Sequence, residues 1–306
     1  MTAFETHEFT VGKHVLVADV GTNAGPPVLL LHGIPGWRGM WRRTAHLLST
    51  TCRTIAPDLL GFGESSSALG SGHAAAQAEM IVGLIRALGF GPVHLVGFDF
   101  GGPTAVLVCR TAPELVKSLV LSATNVFTDT PIPPPLQLVR LPLVGDLFSR
   151  LFFGKAGLAA MWLAAVARRD RYRFEEYRKM LRFGNGVAST RRIFQASLRD
   201  LKGLYAPVEA ALGTIDVPCR VIWGDRDPFF PPSVGMRTAA RIPGADLVWL
   251  RGCGHFLPQE DPMGFSRAVL DVVQARDHVT MAESEVERCC SPTLVRPSTS
   301  GIVASS

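Results

Sequence analysis

The sequence predicts an α/β fold: a mostly parallel sheet with helices on both faces and a helical insert between two of its strands. Three observations predict it. Short apolar runs alternate with runs of helical spacing up to about residue 126 and again after about residue 206. One run, Pro27-Val-Leu-Leu-Leu-His32, is continuously apolar, as a strand buried on both faces is. Between Phe127 and Ala206 the alternation stops, and Pro131, Pro133, Pro134 and Pro135 lead into helical runs rich in Leu, Phe, Ala and Arg.

The elements follow in order. Phe9 to Val11 and His14 to Val20 read as a hairpin around Gly12-Lys13. The apolar run to His32 comes next, then a strand over Thr54 to Asp58. Helical spacing from His73 to Leu88 stops at Gly89, a suitable C-terminal residue. Val93 to Gly97 is a strand and Gly102 to Arg110 the helix after it, followed by a strand over Leu119 to Ala123. Beyond the insert, Cys219 to Trp223 and Leu247 to Leu250 complete the sheet. The predicted division is a core of residues 1–126 and 207–275, a helical lid over 127–206, and a disordered tail over 276–306, where Ser, Thr, Pro and scattered charge replace any pattern.

With 306 residues, 47% hydrophobic and 19% charged, the chain carries enough apolar residues for one large core, which excludes a disordered, collagen-like or coiled-coil chain. The six cysteines have no metal-ligand spacing, and no metal or cofactor is expected. No signal-peptide pattern opens the chain, so reduced thiols and a cytoplasmic location are expected. The longest apolar stretch, Ala156 to Ala167, falls short of the roughly 20 residues a bilayer span needs, so no stable membrane insertion is expected.

The net charge of +5 is unevenly placed. Residues 140–202 hold 14 Lys and Arg against 5 Asp and Glu, or +9, which leaves −4 for the remainder. Solvated helix faces are the simplest account. Attraction to an anionic substrate, partner or membrane surface is the sharper one. Nothing in the pattern resembles a nucleic-acid-binding motif, so no nucleic acid is expected as a partner.

The strongest chemical signal is Gly97-Phe-Asp-Phe-Gly-Gly102, between a strand and a helix. The glycines permit a strained turn that holds the Asp99 side chain at the C-terminal edge of the sheet, in front of the free N–H groups of the next helix. His32-Gly-Ile-Pro35 ends the first buried strand, and a glycine turn there aims the Ile34 N–H at the same place. Trp223-Gly-Asp-Arg-Asp-Pro228 supplies Asp225 and Asp227 at a strand end, and Gly252-Cys-Gly-His-Phe256 supplies His255 after the last strand.

These pieces, standing as HGIPGWRGMWRR, PDLLGFGESS, VGFDFGG, WGDRDPFFPP and GCGHFLPQEDP, resemble the α/β-hydrolase superfamily and, within it, the aspartate-nucleophile branch of epoxide hydrolases and haloalkane dehalogenases. The resemblance implies an eight-stranded sheet with its lid inserted after the sixth strand. It implies Asp99 as nucleophile, His255 as base, and Asp227, with Asp225 as the alternative, as the acid orienting His255. Ile34 and Phe100 would give backbone N–H groups to an oxyanion hole. His32 reads as the support of that loop and Asp58 as a loop-shaping residue.

An aspartate in place of serine changes the reaction. A carboxylate attacking an ester would give a reactive anhydride; attacking a strained or well-activated sp³ carbon, it gives an alkyl ester that water can cleave. The partners are then a small hydrophobic substrate and water. A halide needs N–H donors in side chains beside the nucleophile, and the positions that the resemblance assigns to them hold Ile34 and Phe100, which have none. Trp37, Trp41 or Trp162 would have to substitute. An epoxide needs a hydroxyl donor, and all three tyrosines, Tyr172, Tyr177 and Tyr205, fall in the insert. Tyr205 and then Tyr177 are the expected donors. The expected activity is epoxide hydrolysis to a vicinal diol. Haloalkane dehalogenation, ring opening of a complex metabolite in biosynthesis, and a non-catalytic receptor on the same scaffold are the alternatives.

Overall fold

The structure, a computed structural model, describes residues 4–67, 73–132, 134–141, 144–168, 178–179, 181 and 184–275. The expected tail from Arg276, and with it Cys289 and Cys290, lies outside the described residues, as do Tyr172 and Tyr177.

Eight strands form one sheet in the order β1-β2-β4-β3-β5-β6-β7-β8. They are β1 (Phe4–Val11), β2 (His14–Gly21), β3 (Pro27–Leu31), β4 (Arg53–Pro57), β5 (Val93–Phe98), β6 (Val116–Ser122), β7 (Cys219–Gly224) and β8 (Asp246–Leu250). The hairpin of β1 and β2 is antiparallel, and β2 meets β4 antiparallel. All pairings from β4 to β8 are parallel. From β3 the chain runs first to β4 on one side and then to β5 on the other. That reversal opens a crevice beyond the C-terminal ends of β3 and β5, the position where open α/β sheets bind ligands.

Alternation along each strand divides the core. Val28, Leu30, Val96, Phe98, Val120 and Ile222 point to one face, under Leu48 of α1 (Arg42–Leu48) and Phe265 and Val269 of a helix over 262–275. Leu29, Leu31, Leu95, Leu119 and Leu121 point to the other, under α2 (Ala74–Leu88) and α3 (Gly101–Thr111). Truncating one of these fully buried leucines to alanine costs about 2–5 kcal/mol. The core is therefore a rigid platform for the loops at its C-terminal edge.

Between β6 and β7 lie a 3-10 turn (Pro134–Arg140) and the helices α4 (Val144–Phe152), α5 (Lys155–Ala165), α6 (Gly184–Arg199) and α7 (Leu201–Ala211). The expected boundary between residues 206 and 207 falls inside α7. Pro207 lacks one N–H, but the helix continues past it, and the Asp200 carboxylate caps its start by accepting from the Gly203 N–H at 2.9 Å. Among the described residues no single helix is long and apolar enough to cross a membrane.

Candidate active site

Asp99 follows β5 with φ at 50°, a left-handed conformation costly for any residue with a Cβ. The surroundings hold it there. Its N–H donates to the Ser122 carbonyl at 3.0 Å, and its own carbonyl accepts from the Gly102 N–H at 3.0 Å and the Thr124 hydroxyl at 2.6 Å. A Cβ at Gly101 would stand 2.5 Å from the Leu31 carbonyl oxygen, so only glycine lets α3 begin so close to β3.

The loop after β3 comes equally close. A Cβ at Gly33 would lie 2.4 Å from the Cβ of Asp99. In that contact the Ile34 N–H donates to Asp99 Oδ1 at 2.6 Å. Phe100 is the N-cap of α3, so its N–H belongs to the free amides at the start of that helix. His32 fixes the loop from beneath. Its Nε2 accepts from the Leu59 N–H at 2.9 Å, which leaves the Nδ1 proton to donate to the Gly33 carbonyl at 2.9 Å. Burial lowers the His32 pKa to about 4, with the Arg38 cation adding to the effect against the Gly33 carbonyl, so the ring stays neutral in this supporting role.

Asp58 shapes the same region, together with a partner the motifs did not single out. The buried Arg38 guanidinium meets Asp58 and Glu64, and Asp19 at 2.9 Å. The Arg38 N–H donates to Asp58 Oδ1 at 2.7 Å. This ion network binds the loop after β3 to β2 and to the loop after β4.

Asp227 follows β7 and His255 follows β8. The His255 Nδ1 proton donates to Asp227 Oδ2 at 2.9 Å, and Nε2 lies 3.5 Å from Asp99 Oδ2. The other Asp227 oxygen accepts from the N–H groups of Phe229 and Phe230 at 2.8 and 3.0 Å. Asp225 is used differently: it accepts from the Gly252 N–H at 2.6 Å and shapes the histidine loop. The rings of Phe98, Phe229, Phe230 and Phe256 surround the imidazole, with centroids 5.0–5.6 Å away. Burial by itself disfavours the imidazolium. Asp227, followed by Asp99, outweighs it and raises the His255 pKa to about 10.

The fully buried Glu260, which no motif role had covered, joins this loop to the insert. Its carboxylate accepts from the Gly254 N–H at 3.0 Å and from the N–H groups of Ala167 and Arg168 at 2.9 and 2.8 Å. The His255 N–H also donates to the Ala165 carbonyl at 3.0 Å. The helical insert and the histidine are therefore held as one unit.

Tyr205 lies on α7, in hydrogen-bonding contact with the Ser197 hydroxyl of α6. Burial, followed by the field of Asp99, pushes its phenol above the ordinary value, so it stays protonated. Trp41 packs on Phe98 and Phe265, and Trp162 on Phe256. Among the described residues no group of three or more His, Cys, Asp or Glu is placed to hold a metal ion.

The site thus brings together Asp99, His255, Asp227, the Ile34 N–H and the start of α3, with Tyr205 within the field of Asp99. The chain belongs to the alpha/beta hydrolase fold family, whose model matches residues 26–262. It is a hydrolase of that fold. It is 30% identical over 285 residues to haloalkane dehalogenase 2 of Mycobacterium bovis, covering 88% of this chain and 94% of the relative. It is 29% identical over 264 residues to a 2-hydroxy-6-oxononadienedioate/2-hydroxy-6-oxononatrienedioate hydrolase of Burkholderia vietnamiensis, covering 84% and 89%. In fold it resembles a haloalkane dehalogenase loop variant from Bradyrhizobium elkanii (TM-score 0.76, 20% identity, 90% of this chain and 99% of that one). It also resembles the epoxide hydrolase CorEH (TM-score 0.75, 18% identity, 89% and 99%).

Proposed function

We propose that the protein opens hydrophobic epoxides to vicinal diols through an alkyl ester on Asp99. The observation that carries this reading is the division of labour within one carboxylate. Asp99 Oδ1 takes the Ile34 N–H, while Oδ2 faces His255 and is the oxygen available for attack.

In the first step Oδ2 bonds to an epoxide carbon and the strained C–O bond breaks. The oxygen that leaves takes the Tyr205 proton. The uncharged ester no longer supports the His255 cation, which returns a proton to the Tyr205 phenolate; in the second step the neutral ring removes a proton from water, and the hydroxide adds to the Asp99 carboxyl carbon. Negative charge gathers on Oδ1, against the N–H groups of Ile34 and Phe100, while Asp227 supports the imidazolium. The bond from the carboxyl carbon to Oδ2 then breaks, and the diol departs with that oxygen and a proton from His255. Asp99 keeps the oxygen that came from water, and its carboxyl proton passes to His255, which restores the starting pair.

Tyr205 separates this reading from the runner-up, hydrolytic dehalogenation, which the similarity to haloalkane dehalogenase 2 favours. Ile34 and Phe100 offer a halide no side-chain N–H, whereas Tyr205 offers an epoxide oxygen a proton. We place the reaction in the cytoplasm, in keeping with Cys52, Cys109, Cys219 and Cys253 as buried thiols outside any disulfide. The test is turnover of a panel of styrene-oxide-like epoxides, aliphatic epoxides and haloalkanes. Diol formation from epoxides is the expected result. Halide release with no epoxide turnover replaces this reading with the runner-up.

A further inference from the structure

The helix α4 carries apolar residues on both its inner and its outer side. Inward, Gly145 and Ser149 are buried and Phe148 and Phe152 pack partly buried against the core; a Cβ at Gly145 would meet the Val139 carbonyl at 2.4 Å, and the Ser149 hydroxyl donates back to the Gly145 carbonyl. The side it presents to solvent carries Val144, Leu147 and Leu151, at helical spacing and 54%, 62% and 71% exposed. Leu141 before it and Leu163 on α5 are exposed as well. An apolar stripe of this kind on an amphipathic helix needs a covering surface.

Charge indicates what covers it. Arg150 lies beside the stripe on α4, Lys155 opens α5, and Arg140 ends the preceding turn; all three are exposed. The one acidic residue of α4, Asp146, is held by Arg199 at 2.7 Å. The segment 140–202 carries +9 in the sequence, against −4 for the remainder of the chain, so an anionic surface attracts the insert over the rest of the chain. Among the described residues no single helix is long and apolar enough to cross a membrane; α4 and α5 reach that length and hydropathy only together, across a 65° bend.

We propose that α4, with Leu141 and Leu163 at its margins, docks on an anionic lipid surface, its leucines in the headgroup boundary and Arg140, Arg150 and Lys155 on the lipid phosphates. This docking is independent of the reaction assigned to Asp99. The test is co-flotation of the full chain with phosphatidylcholine vesicles, with and without phosphatidylglycerol, at low and high salt. Binding that requires phosphatidylglycerol and weakens with salt is the expected result. Leu147→Gln/Leu151→Gln should weaken it about tenfold or more, and Arg150→Gln/Lys155→Gln about tenfold, with turnover of a water-soluble substrate unchanged in both. Equal binding to both vesicle types, or no binding to either, overturns the proposal. So does a wild-type dimer in solution that Leu147→Gln/Leu151→Gln converts to a monomer, because the stripe would then be covered by a second copy of this chain.

Discussion

His255 Nε2 stands 3.5 Å from Asp99 Oδ2, on the oxygen that the Ile34 N–H leaves unbound. This geometry separates the two chemical steps between two side chains. Of the two, only Asp99 is needed to form the ester; His255 is needed to cleave it. In His255→Gln, substrate should therefore still alkylate Asp99 while the diol is not released. Intact mass should show an adduct of one substrate, and steady turnover should fall about 100- to 10,000-fold. In Asp99→Ala no adduct should form.

Asp227 and Asp225 differ in what they hold, and their variants should differ accordingly. Asp227→Asn removes the carboxylate that binds the His255 Nδ1 proton, so the imidazolium loses its main support. Turnover should fall about 10,000-fold, as for loss of a triad carboxylate. Asp225→Asn loosens the Gly252 N–H contact instead and should cost far less. Steady-state kinetics on both variants checks the order.

Tyr205→Phe should slow formation of the Asp99 ester without slowing its hydrolysis, because only the first step needs a proton for the leaving oxygen. Rapid-quench measurement of adduct formation and decay separates the two rates. Ser197→Ala should have a smaller effect in the same direction, since its hydroxyl contacts Tyr205 rather than the substrate oxygen.

The sheet and the strained turn at Asp99 were legible in the sequence because both rest on local signals. A five-residue apolar run such as Pro27–Leu31 has few readings other than a buried strand. Gly-x-Asp-x-Gly-Gly between a strand and a helix has few readings other than a strained turn. Other parts were not legible. The helix α1 spans Arg42–Leu48 with no side-chain cap and two arginines at its start. The helix Pro232–Arg241 follows prolines and contains Gly235, so it imitates a loop. Arg38 reaches Asp19, Asp58 and Glu64 only once β2 and β4 have paired, and Glu260 reaches Ala167 only once the insert has folded back. Contacts made by tertiary folding leave no period in a sequence. The choice between Asp225 and Asp227 is of the same kind, since both follow one strand and only the fold directs one of them to His255.

The Arg38 network should contribute stability out of proportion to its size. Arg38→Met leaves Asp58, a fully buried carboxylate, without its counter-ion. Chemical denaturation should show a loss of about 3–5 kcal/mol. Arg38→Met combined with Asp58→Asn should recover part of it, since no uncompensated charge then remains.

Two histidines should give the fold opposite responses to pH. His32 has its pKa depressed from 6.5 to about 4, so the unfolded chain binds its proton more readily; its contribution is present above pH 6.5 and lost as pH falls through 4. His255 has its pKa raised from 6.5 to about 10, so its contribution is full below pH 6.5 and lost as pH rises through 10. Denaturation across this range should show wild type losing stability at both ends. Asp227→Asn, which withdraws the main support of the His255 cation, should remove much of the alkaline loss.

The central claim is that carbon is bonded to Asp99 during turnover, and a single turnover in oxygen-18 water tests it most directly. With enzyme in excess over a styrene-oxide-like epoxide, peptide mass analysis should find one heavy oxygen on the Asp99 carboxylate and an unlabelled diol. Heavy oxygen in the diol with none on Asp99 would mean that water attacks the epoxide itself, and would contradict the account.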